Sequence, residues 1–398
     1  MRVSTAFRYE STVDNLQKRQ RDMSDAQMQM TNGKRINRPS DDPTGAARAE
    51  RAYISQQRIG SEQRSVDASR NALVLAESAL GQAGDVMQAA RETLVASGNG
   101  SYSPAERAAQ AARLQQFRDQ LLSLANQSNG AGGYLFGGQG ATAIPFLDTA
   151  AGIQAAATGG PTQLSSTEQM PVTVDGQAIW LGVASGNGVF VTGAAASNTG
   201  SGWVDAGSVT NPAALTGSRY QIEFAGSGTS STYTVRKDGI ATPQAGIPFV
   251  AGSVLSIDGM SMHIKGAPKA GDLFTVDPSA PDLDSIGALD RAIAVLKNPN
   301  ANAGHIGQAV NSGLRDIDAV LGRLQAARAE AGSTLTRLDS IDNRNQDRTL
   351  WAKAVQSNAE DLDMVQAVSD FQNKQTSYQA ALQSYASVHR LSLFDYIK

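Results

Sequence analysis

The chain has 398 residues, 41% of them hydrophobic but only 6% aromatic, with 39 glycines and no cysteine. That leaves room for two or three domains and excludes disulfides, thiolate metal sites and a cysteine nucleophile. A net charge of -3 argues against a nucleic-acid binder, which normally carries a basic field. The opening residues contain no apolar run of the kind a cleaved secretory signal needs, and no stretch reaches the roughly 18 to 20 apolar residues of a membrane span.

Taken in order, the first segment places Ala6, Tyr9, Val13, Leu16, Gln20, Met23, Gln27 and Met30 at steps of three and four. A repeat of about 3.5 residues predicts a helix with a narrow seam that lies against other helices. The glutamines in it are either wet positions or polar contacts that set register. TNGKRINRPSDDPTG follows. Asn32-Gly33 supplies a C-cap, Lys34 and Arg35 complement the helix C-terminal dipole, and Pro39 stops continuation. Asp42 with Pro43 forms an N-cap and first-turn pair, so a second helix starts there. Asp41, Asp42 and Gly45 lack the spacing and closing glutamate of an EF-hand, and Gly33-Lys34 lacks the upstream glycine of a P-loop.

From Pro43 to Gly98 a second seam runs through Val66, Ser69, Leu73, Ala76, Leu80, Ala83, Met87, Ala90 and Leu94. Ser103-Pro104-Ala105-Glu106 reads as a capping box. The helix it opens carries Leu114, Phe117, Leu121 and Leu124 and is expected to end at Asn129-Gly130. NGAGGYLFGGQG then follows, too glycine-rich for helix and without dinucleotide-binding spacing.

Between Ala141 and Pro281 charges thin out and glycines and prolines concentrate. Period-two runs appear at Val172–Val174, Gln177–Leu181, Val189–Val191, Tyr220–Phe224, Tyr233–Arg236, Val254–Ile257, Met260–Ile264 and Leu273–Val276. Asp175-Gly176, Asp258-Gly259 and Asp238-Gly239 are candidate hairpin turns, and Gly193–Ser218 reads as loop. Helix returns after Pro281, first through Ile286, Leu289, Ile293 and Leu296, closed by Asn298-Pro299-Asn300. A longer helix then carries Ile306, Val310, Leu314, Ile317, Leu321, Leu324, Ala331, Leu335, Leu338 and Ile341. The polar run 342–348 is a candidate bend. The last segment, 350–398, carries Met364, Val368, Phe371, Gln375, Tyr378, Leu382, Tyr385, His389 and Ser392 at heptad spacing, with Leu391, Leu393 and Phe394 at its end.

The expected fold is mostly α: a long antiparallel helical rod built from both ends of the chain, with an antiparallel β domain inserted in mid-chain. The divisions are 1–42 for an N-terminal assembly helix and connector, 43–140 and 282–349 for the two halves of the rod, 141–281 for the β insert and 350–398 for a C-terminal assembly helix. A seam this narrow makes no core alone, so the two terminal segments are natural partners.

Chemistry is scarce. His263, His305 and His389 are far apart in sequence, no hydrolase, metalloprotease or nucleotide motif occurs, and the carboxylates scatter over polar helix faces. Assembly is therefore favoured over catalysis, with no cofactor or metal. Trp180 and Trp203 keep a glycan-binding head on a helical stalk open as an alternative.

The order of helix, GKRINRPSDDPTGAARA, long helices, β insert and C-terminal heptads resembles the flagellin superfamily. MRVSTAFRYE, GGYLFGG and the ending QNKQTSYQAALQSYASVHRLSLFDYIK are similar to its junction branch rather than to flagellin itself. The resemblance implies a non-enzymatic structural adaptor of the bacterial flagellum. Its copies would form a homo-oligomeric ring between a hook-side junction protein and flagellin, and a cytosolic chaperone would hold the chain before export outside the cell without a cleaved signal. The assembly interface is expected at Tyr9, Val13, Leu16, Met23, Met30, Met364, Val368, Phe371, Tyr378, Leu382, Tyr385, Leu391, Leu393 and Phe394. The connector motif comprises Gly33, Arg35, Asp41, Asp42 and Pro43. Residues before about Thr31 and after about Ala354 are expected to be mobile in a free monomer.

Overall fold

Heptad spacing and proline-free stretches produce long helices: α1 (Arg2–Asn32), α2 (Pro43–Ser97) and α3 (Pro104–Ala125), then, after the β insert, α5 (Asp290–Lys297), α6 (Ala303–Glu360) and α7 (Met364–Phe394). A single turn, α4 (Gly176–Trp180), lies between the two groups. The structure, a computed structural model, describes residues 2–130, 132–138, 143–150, 152–156, 160, 162, 170–226 and 228–394; the side chains at 2–6, 8, 9, 229 and 388–394 are outside the description. The chain divides into two compact units, residues 1–64 with 341–398, and residues 65–340.

In the first unit α1 packs along α7. The start of α2 lies antiparallel to the end of α6, burying Ala49, Ala52 and Ile59 from one helix and Ile341, Ala352 and Ala359 from the other. Small residues bring these backbones close, and polar pairs fix the register: Gln56 donates to Gln356 (2.7 Å) and Gln63 to Asp342 (2.7 Å).

In the second unit every position of the predicted α2 seam from Val66 to Leu94 is buried. From Ala76 onward it packs with Leu114 and Leu121 of α3, Ile293 of α5 and Ile317, Val320 and Leu324 of α6. Each large side chain so enclosed contributes roughly 1.5 to 3 kcal/mol. The α3 capping box forms as expected, Glu106 N–H donating to Ser103 Oγ and Ser103 N–H to Glu106. Arg118, buried beneath this core, is held by Asp148 and Asp290 at 2.6 Å each.

The insert begins with the hairpin β1 (Phe146–Thr149) and β2 (Gly152–Ala155). One sheet then uses β3 (Phe190–Ala194), β6 (Tyr220–Ala225), β7 (Thr232–Lys237), β8 (Ile240–Ala241), β9 (Ile247–Pro248) and β12 (Leu273–Pro278) in the order β3-β12-β6-β7-β8, with β9 also on β7. The other uses β4 (Trp203–Val204), β5 (Ser208–Val209), β10 (Val254–Ile257) and β11 (Met260–Lys265) in the order β10-β11-β4, with β5 also on β11. Tyr220, Ile222 and Phe224 alternate inward from the first sheet and Met260, Met262 and Ile264 from the second, closing one core between them. The chain enters and leaves this β domain at one neck, where Ser185 N–H donates to the Ala280 carbonyl (2.9 Å) and Val183 bridges Leu283.

The α/β organisation and the turns at Asp238-Gly239 and Asp258-Gly259 stand as read, with Asp238 and Asp258 both at positive φ. Other expectations need correction. Asp175-Gly176 is not a hairpin turn: Asp175 accepts the Ala178 N–H and caps α4, because Ile179 and Trp180 are buried as one helical turn. Helix α3 ends at Ala125 rather than at Asn129-Gly130, since the Asn126 side chain bonds both backbone groups of Phe146. Gly193–Ser218 is not simply loop, for it holds β4 and β5. Finally, 342–348 does not interrupt the helix. Asn345 is buried there and α6 runs through, so the helix breaks instead at Asp361–Asp363.

Candidate assembly surface and connector clasp

The connector after α1 is built by backbone and carboxylate chemistry. Gly33 takes φ +68°, the left-handed geometry that ends a helix cheaply. Its carbonyl accepts the Leu362 N–H (3.0 Å), and Arg35 N–H donates to the Glu360 carbonyl (2.7 Å). The connector is thus stitched to the end of α6 as a short antiparallel ladder, which accounts for the helix break there. Lys34 pairs with Glu360 (2.9 Å), and the Arg35 guanidinium donates to the Ala359 carbonyl (2.8 Å) and to Asp42 (3.0 Å). Arg35 thereby satisfies a carbonyl at a helix end that has no partner within the helix.

The two aspartates have separate duties. Asp41 accepts the backbone N–H groups of Arg38 (2.9 Å) and Asn37 (3.1 Å), folding the turn. Asp42 caps α2, accepting the Gly45 N–H (2.9 Å) and the Thr44 hydroxyl (2.8 Å), and Pro43 follows at the first helical position. These bonds, the Gly45 N–H first, then Thr44 and Arg35, hold the Asp42 carboxyl down at about 2. The Arg38 N–H is the main influence lowering Asp41. Ile36 is buried in the connector, and a Cβ on Gly45 would lie within 3 Å of Ile36 and Asp42. Beyond the break, Asp363 caps α7 by accepting the N–H groups of Val365 (3.0 Å) and Gln366 (3.2 Å). Gly33, Arg35, Asp41, Asp42 and Pro43 thus meet in one clasp. Sequence reading missed its other half, Ala359 to Asp363, although an aspartate just ahead of the Met364 heptads was a readable cap.

The predicted interface residues lie on α1 and α7. Val13, Leu16, Met23 and Met30 are half-buried, as are Phe371, Tyr378 and Tyr385, whereas Met364, Val368 and Leu382 are exposed at 49%, 41% and 42%. Gln20, Gln27 and Gln375 face water. The side chains of Tyr9, His389, Leu391, Leu393 and Phe394 lie outside the described residues. Pairing α1 with α7 therefore leaves much of both seams open. Val365, at 83% exposure, adds an apolar position that the heptad count left out.

Nothing of comparable definition points to catalysis. Among the described residues no three His, Cys, Asp or Glu side chains converge as metal ligands, and no helix is long and apolar enough to cross a membrane. His263 bonds Asp205 (2.8 Å) on β11, and His305 sits in the first turn of α6. Trp180 is wholly buried edge-on to Phe136 and offers no face to a sugar, and Trp203 is half-buried with Lys265 over its ring and Gly307 beside it. A cleft of about 1050 Å³ between β3 and helices α5 and α6 has no Phe, Tyr or Trp among its described lining residues.

Residues 3–141 match the sequence model of the bacterial flagellin N-terminal helical region, and residues 194–278 match the D2-like domain of flagellar hook-associated protein 1. Over its full length the chain is similar to flagellar hook-associated protein 3 of Salmonella typhimurium, with 25% identity across 99% of each chain. Among solved structures it is similar to Xanthomonas campestris FlgL, with a TM-score of 0.69 and 28% identity over 78% of this chain and 99% of that one. The flagellar junction protein FlgL from Legionella pneumophila gives a TM-score of 0.68 and 26% identity over 79% and 100%.

Proposed function

We propose, from flagellin-type N-terminal helices and a full-length similarity to hook-associated protein 3, that this chain is a structural junction protein of the bacterial flagellum. It is an adaptor, not an enzyme, and it needs no cofactor. Copies form a ring between a hook-side junction protein and flagellin. The segments 1–42 and 350–398 are its assembling ends, 43–140 and 282–349 its rod, and 141–281 its outer β domain. The chain works outside the cell and is held in the cytosol beforehand by a chaperone that covers the terminal seam.

One observation carries the reading. The α1–α7 pair is anchored at its base by the Arg35–Asp42 clasp yet leaves Met364, Val365, Val368 and Leu382 in water. Covering each such side chain with a neighbour contributes up to ~1.5 to 3 kcal/mol, so subunit contact completes a seam that the monomer leaves open. Electron micrographs of cells lacking the chain are expected to show hooks without filaments, with flagellin in the medium. Normal filaments in those cells would sink the reading.

A further inference from the structure

A second set of open apolar side chains lies away from the terminal seam, on the hairpin that α2 and α6 make in the first unit. Tyr53 and Ile54 of α2 are 47% and 58% exposed, and Leu350 and Trp351 of α6 are 66% and 68% exposed. Trp351 is the most exposed of the three tryptophans, and aromatic anchors of this kind carry most of the energy of protein contacts.

The helical repeat fixes where the two patches face. At about 100° per residue, Ile54 points roughly 200° away from buried Ala52, and Leu350 roughly 200° away from buried Ala352. Ala52 and Ala352 lie in the contact between the two helices, so Ile54 and Leu350 face outward on opposite sides of the hairpin. A layer with an apolar patch on each outer face can be covered by two neighbours at once. Joining one patch to the other is a head-to-tail contact, which closes into a ring where the rotation between copies allows it and otherwise runs on as a helical filament.

Charge fits the same pairing. Arg58, one turn beyond Ile54, and Asp347, one turn before Trp351, are both exposed, and among the described residues neither has an ion-pair or hydrogen-bond partner. When α2 of one copy lies antiparallel to α6 of the next, the register that sets Ile54 against Leu350 and Trp351 also sets Arg58 against Asp347. We propose that the Tyr53–Ile54–Arg58 face of α2 docks on the Asp347–Leu350–Trp351 face of α6 in a second copy of this chain, as the lateral contact of the ring. This rests on the junction reading above but uses none of the terminal-seam residues.

The absence of native cysteine makes the test direct. Full-length chain carrying Ile54→Cys and Leu350→Cys is expressed in cells lacking the native copy. Isolated flagella are first assayed for the chain and then treated with a short bis-maleimide. A ladder of cross-linked multimers is expected from the double variant, and monomer from either single variant. Chain present in the flagella without a ladder overturns the contact while leaving the junction reading standing, and so does same-residue cross-linking in a single variant. Chain absent from flagella when the unsubstituted protein is also absent defeats the junction reading itself. If the cysteines alone prevent incorporation, charge reversal decides. Arg58→Asp and Asp347→Arg are each expected to reduce the fraction of filamented cells, and together to restore it. A double variant as defective as the two losses combined overturns the proposal.

Discussion

Arg35 sits where three chain segments meet, and its side chain is shared between a helix-end carbonyl at Ala359 and the capping carboxylate of Asp42. Arg35→Ala is expected to cost on the order of 1 kcal/mol, mainly through the partly buried bond to the carbonyl, since the exposed ion pair is screened. It should also raise the Asp42 titration midpoint from about 2 toward its ordinary 3.8, though not all the way, because the Gly45 N–H and Thr44 hydroxyl remain. Carbon-detected titration of the Asp42 carboxyl measures both chains, and an unchanged midpoint would remove Arg35 from the clasp. With its pKa depressed in the fold, Asp42 contributes stability that is in place above about 3.8 and is lost as pH falls through about 2. The connector should therefore keep its amide protection at pH 5 and surrender it between pH 4 and 2. Gly45 is a steric matter instead. Gly45→Ala drives a methyl into Ile36 and Asp42 and should destabilise the first unit by ~1 to 3 kcal/mol in thermal unfolding. Wild-type stability would mean that the connector yields.

Among the elements, legibility followed the source of the restraint. Every α2 seam position from Val66 to Leu94 was readable because a 3.5-residue repeat with small residues between has one buried face, and that face is buried. The β10–β11 turn was readable because Asp258-Gly259 carries its own positive-φ chemistry. Asp175-Gly176 looked the same in sequence and became a helix cap, since burial of Trp180 decided the matter from a distance. The break at Asp361–Asp363 was hidden for a related reason: it is made by Gly33 and Arg35, more than three hundred positions earlier. Of the proposed site, the connector's first half and the seam residues could be named from sequence, but not the clasp's second half or the outward faces of α2 and α6. For α7 itself, Phe371→Asp or Leu382→Asp is expected to abolish incorporation into flagella while the isolated protein keeps the near-UV signal of its β domain. Normal incorporation of either variant would show that this seam is not the assembly surface.

On the scale of the whole molecule, the two halves of the second unit have separate cores. One gathers Leu80, Met87, Leu114, Ile286 and Ile317 among the helices, and the other Phe190, Ile222, Met262 and Phe274 between the sheets. The chain passes between them only at the Ser185–Ala280 neck, whose two segments are already hydrogen-bonded. A two-residue Asn-Gly turn can join paired strands at such a point. Replacing residues 186–279 by that turn should remove the sheet core and leave the helical core intact, with helicity per residue rising. At the start of α6, Arg315 would lose its bonds to Thr192 but keep Asp316, and Gln308 and Gly307 would lose Val204 and Trp203, so that surface becomes exposed while the core beneath it stays. If assembly resides in the first unit, as its open α7 seam and outward α2 and α6 faces argue, the shortened chain still nucleates filaments. A shortened chain that is folded by circular dichroism yet leaves bare hooks would move the essential contact into the β domain.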